Sequence, residues 1–247
     1  MNKIRIDQLL VDRGLAETRS KAAALILAGQ VFIKEQRVDK AGVKVADDAP
    51  VEVRGESLRY VSRGGFKLEA ALEAFGYDCT DKIVLDVGAS TGGFTDCVLQ
   101  RGALEVWAVD VGYGQLAWRL RQDPRVHNIE RANIRHLAPD AIPVKCALAV
   151  IDCSFISLDK VLPNTLTFLT PDADVIALIK PQFEVGPQSV GKGGVVRDEE
   201  ARTRAIEAVI MGAEALGLTR VAGIDCPVHG PAGNIEYLVW LKRRAAA

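Results

Sequence analysis

The chain has 247 residues, 49% of them hydrophobic and 26% charged, which fits one large folded domain or a domain with a small appendage. Its 31 Lys and Arg against 32 Asp and Glu leave a net charge of −1, which excludes a histone-like polycation but not a local basic patch. No apolar run reaches the roughly 18 residues that cross a bilayer, and five cysteines without a Cys-x-x-Cys pair, beside only three histidines, exclude a disulfide scaffold and a zinc finger.

The N-terminus meets charge at Lys3 and Arg5, too early for a secretory leader, so we expect a cytoplasmic protein with reduced thiols. Residues 1–60 hold 11 Lys and Arg against 9 Asp and Glu. Ile6, Leu9 and Leu10 outline a first helix stopped by Gly14. Thr18 or Ser20 caps a second through Ala22–Leu27, stopped by Gly29. Short strands follow at Val31–Ile33, Val43–Val45 and Val51–Val53, and Arg54–Ser57 reads as a linker. The expected domains are therefore 1–57 and 58–247.

A helix is predicted over Gly64–Phe75, and strands and helices then alternate. The strands are Lys82–Val87, Glu105–Asp110, Val126–Glu130, Ala147–Asp152, Asp174–Lys180, Arg220–Cys226 and Ile235–Lys242. The helices between them include Phe94–Arg101, Gln115–Gln122, Leu158–Leu169 and Arg197–Leu216. Near-continuous apolar runs such as Ala147–Ile151 suit parallel strands buried on both faces. The expected class is α/β: a mostly parallel seven-stranded, Rossmann-like sheet ending in an antiparallel strand, preceded by a small α+β domain. A Gly/Pro/Asn loop without a helix joins the last two strands, as in a hairpin.

The strand ending in Asp86-Val87 runs into Gly88-Ala89-Ser90-Thr91-Gly92-Gly93-Phe94 and then a helix. Glycines there let a ligand lie against the backbone, but the spacing is not Gly-x-Gly-x-x-Gly. Asp86 is placed to face a positive ligand amine, and Asp110, ending the next strand, to take both hydroxyls of a ribose. That combination is typical of S-adenosylmethionine sites. Gly186–Gly193 approaches a Walker A loop but has Gly193 where the magnesium-binding Ser or Thr belongs, so it reads better as a loop touching RNA phosphate.

Ligands gather at the C-terminal strand ends of an open α/β sheet. Asp152 and Lys180 end long apolar runs there, where a lysine is costly unless paired. Lys67 lies in the preceding helix, and Glu236 follows Pro231–Ile235.

With those residues in view, residues 61–247 resemble an FtsJ-type ribose 2′-O-methyltransferase, a family marked by a Lys–Asp–Lys–Glu tetrad. Lys67, Asp152, Lys180 and Glu236 stand in the matching motifs. The whole chain resembles the TlyA family, whose members are called both hemolysins and rRNA 2′-O-methyltransferases. The resemblance rests on Ser62–Leu68, Asp86–Asp96, Asp152–Leu158, Lys180–Glu184 and Gly191–Asp198. The front module is similar to the RNA-binding domain of the ribosomal-protein-S-four type, matched by Arg5, Asp7, Arg19, Ser20, Lys21, Gly29 and Val31.

The resemblance implies an enzyme that uses S-adenosylmethionine, without a metal, to methylate a ribose 2′-hydroxyl of ribosomal RNA, with cytidine as the family's target class. Asp86, Gly88, Ala89, Ser90, Thr91, Gly92, Gly93, Phe94 and Asp110 form the expected cofactor site, and Asn133 is expected to approach the adenine. Lys180 is the expected base or, alternatively, steers the hydroxyl. Asp152 orients it, Lys67 holds the substrate oxygen or a phosphate, and Glu236 fixes a lysine. Arg5, Arg19, Lys21, Arg63, Lys192 and Arg197 are the expected RNA contacts. Neither a membrane nor an obligate protein partner is expected. A membrane-lytic protein and a catalytically inactive RNA-binding module are the competing readings.

Overall fold

The computed structural model describes residues 3–27, 29–54, 59–230 and 232–243, so Gly55, Glu56 and Ser57 of the expected linker lie outside the described residues. The chain divides into two compact units, Met1–Arg59 and Tyr60–Ala247.

In the first unit, β1 (Lys3–Arg5) leads directly into α1 (Ile6–Asp12), followed by α2 (Arg19–Leu27), β2 (Val31–Ile33), β3 (Gln36–Arg37), β4 (Lys44–Ala46) and β5 (Val51–Val53). Thr18 is the residue that caps α2, its Oγ1 accepting a hydrogen bond from Lys21 N at 3.2 Å. The three residues of β1 are too few to announce a strand: Lys-Ile-Arg alternates, but pairing of Ile4 with Val45 in β4 is what makes it one. β2 lies between β3 and β5 in an antiparallel sheet. Ile6, Leu10, Ala22, Ile26 and Val31 form the core of this unit.

The second unit begins with α3 (Gly64–Phe75). Then come β6 (Ile83–Val87), α4 (Gly93–Gln100), β7 (Glu105–Val109), α5 (Trp118–Arg121), β8 (Val126–Ile129), β9 (Cys146–Ile151), α6 (Leu158–Thr165), β10 (Leu169–Ile179), α7 (Pro181–Glu184), α8 (Glu199–Ala215), β11 (Leu218–Asp225) and β12 (Tyr237–Arg243). The seven strands are ordered β11-β12-β10-β9-β6-β7-β8. β10, β9, β6, β7 and β8 are mutually parallel, and β12 runs antiparallel to both of its neighbours.

Side chains alternate across this sheet and split the core into two layers. Leu85, Ala149, Val175 and Val239 pack with residues of α6 and α8 on one face. Val84, Leu148, Ile176 and Leu238 pack with α3 and α4 on the other. Both faces are covered, which explains the apolar runs of the central strands.

Two helices are shorter than their patterns suggest. The helix expected over Gln115–Gln122 forms only at Trp118–Arg121, because Ala117 N bonds Thr91 O at 3.1 Å and holds the preceding residues against the glycine loop. The helix expected over Leu158–Leu169 ends at Thr165 and passes through a 3-10 turn into β10, which starts at Leu169 rather than Asp174.

α3 carries Lys67, and its seating depends on Gly65. A Cβ there would lie 2.3 Å from Cγ of the fully buried Tyr60. Overpacking of this kind costs about 1–3 kcal/mol. Gly65→Ala is therefore expected to lower the unfolding free energy of the second unit by that amount, seen as a lower urea midpoint with an unchanged slope, whereas unchanged stability would show that Tyr60 moves freely.

Candidate active site

The order of strands reverses between β6 and β9. From β6 the chain builds outward through β7 and β8, and from β9 outward through β10 in the other direction. A crevice forms at such a switch point beyond the C-terminal ends of the strands. Gly88, Asp110, Asp152 and Lys180 each stand immediately after the last residue of β6, β7, β9 and β10. β12 runs the opposite way, and Tyr237 pairs with Ile179, so Glu236 reaches the same edge from the start of its strand.

Two cavities open there. The smaller, about 340 Å³, is lined by Ser62, Arg63, Lys67, Asp152, Lys180 and His229 together with the glycine loop. The larger, about 550 Å³, is lined by Asp110, Gln115, Asn133, Ile134, Phe155 and Val161 among others. Gly88, Ser90, Asp152 and Ser154 line both and mark where the two meet.

The tetrad is resolved into two ion pairs. Lys67 Nζ donates to Glu236 Oε2 at 2.5 Å, with side-chain exposures of 10% and 1%. Lys180 Nζ lies 2.5 Å from Asp152 Oδ1 and donates to Ser154 Oγ at 2.8 Å. A charged N–O separation this short is a strong charge-assisted contact. Pairing makes the burial of four charges tolerable, since an isolated buried charge is far more costly than a matched one. Glu236 lines neither cavity and stands behind Lys67, which does face the smaller one.

The glycine loop is shaped by close approach. Gly88 has φ +85°, and a Cβ on it would lie 2.7 Å from the carbonyl oxygen of Asp152. A Cβ on Gly93 would lie 2.3 Å from Ser62 Oγ. Gly88 and Ser90 line both cavities, Ala89, Thr91, Gly93 and Phe94 the smaller one, and Gly92 neither. Asp110 braces the loop: its Oδ2 accepts from Ser90 N at 2.8 Å and its Oδ1 from Gly112 N at 2.6 Å. Each oxygen keeps a further lone pair for a ligand hydroxyl. Asn133 Oδ1 caps the 3-10 turn Ile134–His136 through Arg135 N at 3.1 Å while its residue lines the larger cavity.

Asp86 departs from its expected position. It is fully buried beneath the loop, lines neither cavity, and bonds Thr95 of α4 through Oδ2 at 2.6 Å. Its Oδ1 has no partner. Burial pushes its carboxyl up to about 7; the Thr95 bond opposes this, and the charges of Asp152 and Asp110 add to it. Asp152 at the junction and Asp110 in the larger cavity suit a cationic ligand with ribose hydroxyls, so the site fits S-adenosylmethionine.

The expected RNA contacts are scattered. Arg63 lines the smaller cavity. Lys192 and Arg197 are exposed on the segment before α8 and line neither cavity. In the first unit Arg5 and Arg19 both bond Asp7, and Lys21 pairs with Glu17 at 2.6 Å.

Three contributors had escaped the sequence reading. Ser154, two residues beyond Asp152, holds Lys180. His229 borders the smaller cavity from the loop that also carries Glu236. Asp96, buried in α4, accepts from Val61 N at 2.8 Å and pairs with Arg119, tying the Ser62–Gly64 wall to α5. A carboxylate inside an otherwise apolar helix run was the available signal for Asp96. Among the described residues no group of three or more His, Cys, Asp or Glu is placed to hold a metal ion.

Two stability effects follow. Removing one member of a buried pair costs about 3–5 kcal/mol, so Glu236→Ala is expected to destabilise the protein by that amount in urea. Lys67→Met with Glu236→Leu should recover most of the loss. Asp86 holds its proton to higher pH in the folded than in the unfolded chain, whose reference value is 3.8. Between about pH 4 and 7 the folded state thus binds more protons, and its stability falls as pH rises, by an amount on the order of 4 kcal/mol. Asp86→Asn should flatten that slope in urea titrations at pH 5 and pH 8. An unchanged slope would place the titration elsewhere.

Comparison with known proteins gives the same picture. The FtsJ-like methyltransferase family matches residues 60–243, and the S4 domain family matches residues 4–50. The chain is 49% identical to the 16S/23S rRNA (cytidine-2′-O)-methyltransferase TlyA of Mycobacterium tuberculosis (strain ATCC 25618 / H37Rv), over 97% of this chain and 90% of that protein. It is 41% identical to Hemolysin A of Brachyspira hyodysenteriae over 95% of this chain and 98% of that protein. The solved structure of a hemolysin candidate from Streptococcus thermophilus superimposes with a TM-score of 0.77 at 43% identity, covering 100% of this chain and 90% of that one. Among the described residues no helix is long and apolar enough to cross a membrane. The chain belongs to the FtsJ-like methyltransferase family, in the TlyA group that joins such a domain to an N-terminal S4 domain.

Proposed function

We propose that the protein methylates the 2′-hydroxyl of a cytidine ribose in ribosomal RNA, with S-adenosylmethionine as the donor. The carrying observation is the meeting of two cavities at the Lys180–Asp152 pair. The larger cavity, bounded by Asp110 and Asn133, has the polar groups for an adenosine. The smaller, bounded by Arg63, Lys67 and Lys180, has the cations for a ribose and its phosphates. The activity named for the M. tuberculosis relative is the same reaction. A ribosomal substrate supports the reading of a cytoplasmic enzyme.

S-adenosylmethionine supplies an electrophilic methyl group on a sulfonium when it is bound. Gly88, Ser90, Asp110 and Asn133 are the residues that would hold it, with Asp86 beneath the loop. On the substrate side, Lys67 is fixed by Glu236 and presents its ammonium to the 2′-oxygen or the adjacent phosphate. Asp152 and Ser154 hold the Lys180 amine at the junction. From there Lys180 either accepts the 2′-hydroxyl proton as a neutral amine or steers the hydroxyl while the proton leaves to Asp152 or water. The exposed ring of Phe155 on the rim of the larger cavity offers a face on which a base can stack.

The test is transfer of tritiated methyl groups to purified ribosomal subunits, followed by mapping of the modified nucleotide. Label in a cytidine 2′-O-methyl group is expected, and label on a base would overturn the reading. Lys180→Ala should slow single-turnover transfer by about 10²–10⁴-fold, with cofactor affinity little changed. Lys180→Arg separates the two roles, because a guanidinium steers but does not accept a proton. Activity retained in Lys180→Arg assigns steering, and a loss equal to that of Lys180→Ala assigns proton transfer. Asp110→Ala should weaken cofactor binding in calorimetry by about 1.5–3 kcal/mol, and an unchanged affinity would remove Asp110 from the site.

A further inference from the structure

The first unit contains a charge arrangement that simple electrostatics does not favour on an RNA-binding surface. Asp7, the second residue of α1, is 4% exposed. Its Oδ1 accepts from Arg5 Nε at 3.0 Å and from Gln8 N at 2.9 Å. Its Oδ2 accepts from Arg5 Nη2 at 2.9 Å and from Arg19 Nη2 at 3.0 Å. A carboxylate has about four acceptor sites, and all are used. Arg5 ends β1 and Arg19 begins α2, so one buried acid joins three elements of the unit.

The two guanidiniums remain about half exposed, at 48% and 53%, although Asp7 itself is covered. Arg5 spends two of its five N–H donors on Asp7 and Arg19 spends one. Three donors of Arg5 and four of Arg19 are not used by Asp7. Because both Nη2 groups bond the same oxygen, two like charges are held side by side, an arrangement their mutual repulsion would otherwise open. The Arg5 bonds, followed by those of Arg19, hold the Asp7 carboxyl well below the usual carboxylate range against the opposing effect of burial. Lys21 differs: it pairs with a half-exposed Glu17 one turn away, an ordinary surface contact.

We infer that Asp7 is a positioning residue, which makes Arg5 and Arg19 a fixed pair of guanidinium forks for the phosphate backbone of the substrate RNA. The inference rests on the reading of the first unit as RNA-binding. Two long side chains ordered before binding lose less entropy when they meet the phosphate. Planar forks also match phosphate oxygens in a way a lysine does not.

The test turns on a sign. Asp7→Asn removes a negative charge from the surface, so a purely electrostatic surface would bind RNA more tightly. Positioning predicts the reverse: affinity of the full-length protein for purified ribosomal subunits falls about tenfold. In methyl transfer that loss should appear in KM with kcat unchanged. Arg5→Lys combined with Arg19→Lys keeps both charges and loses the forks, and a similar loss is expected. Arg5→Ala with Arg19→Ala should weaken binding and flatten its salt dependence. Adding Asp7→Asn to that pair should cost nothing more, whereas a purely structural Asp7 would give additive losses.

Equal or tighter binding by a folded Asp7→Asn protein overturns the proposal, as does a further loss in the alanine background. If Asp7→Asn unfolds the first unit, judged by melting, the lysine pair decides, and unchanged affinity there overturns the proposal. Unchanged affinity in the double-alanine protein removes the RNA-binding reading of this unit, and the proposal with it. A loss in the double-alanine protein without a loss in Asp7→Asn or in the lysine pair removes the positioning role alone.

Discussion

Four charged side chains from four separated stretches of chain meet at one edge of the sheet only because they arrive as two pairs. Lys67 on α3 and Glu236 before β12 are 169 residues apart, yet they share a bond of 2.5 Å in a nearly dry setting. Asp152 and Lys180 end neighbouring parallel strands and face each other across the crevice. Either lysine alone would be a buried charge without compensation. The sheet order sets this geometry. β12 has to run antiparallel to β10 for Glu236 to reach the edge where Lys180 stands.

The two pairs do different work because they are buried differently. Glu236 sits behind Lys67 and touches no cavity, so that pair is a fixed post with one exposed end. Asp152 is 22% exposed along its side chain and stands where the cavities join. Its Oδ1 and the Ser154 hydroxyl both hold the Lys180 ammonium. Lys67 cannot leave Glu236 without stranding a buried carboxylate.

Much of the fold was legible because the strands of the second unit are buried on both faces, so their apolar runs and the helices between them repeat clearly. Asp152 and Lys180 stood out for the same reason: polar residues ending apolar strands. The glycine loop was readable from composition, but the side of the loop on which each residue falls was not. Asp86 was expected to meet the ligand and instead lies under the loop against Thr95, because only packing of α4 on β6 decides which way that carboxylate points. α5 and β1 were obscured by long-range contacts. Thr91 holds the residues before α5, and β4 makes a strand of Lys3–Arg5. Ser154 is a short polar side chain whose importance lies in a partner distant in sequence, whereas Asp96 was announced only by its place in an apolar helix run.

The charge balance has a further consequence. A net charge of −1 gives the protein as a whole little long-range attraction for RNA, so attraction has to come from local groups of cations. Its arginines are instead repeatedly tied to carboxylates: Arg5 and Arg19 to Asp7, Arg119 to Asp96, Arg121 to Glu130, and Arg202 to Asp225. Each pairing lowers the field that would draw any polyanion and fixes the direction in which the remaining donors point. Non-specific binding scales with the number of phosphates a cationic surface neutralises. Lowering that background while keeping oriented donors shifts selection toward shape, which suits recognition of a folded RNA. The same acids that make the overall charge unpromising for an RNA enzyme thereby set the geometry of its cations.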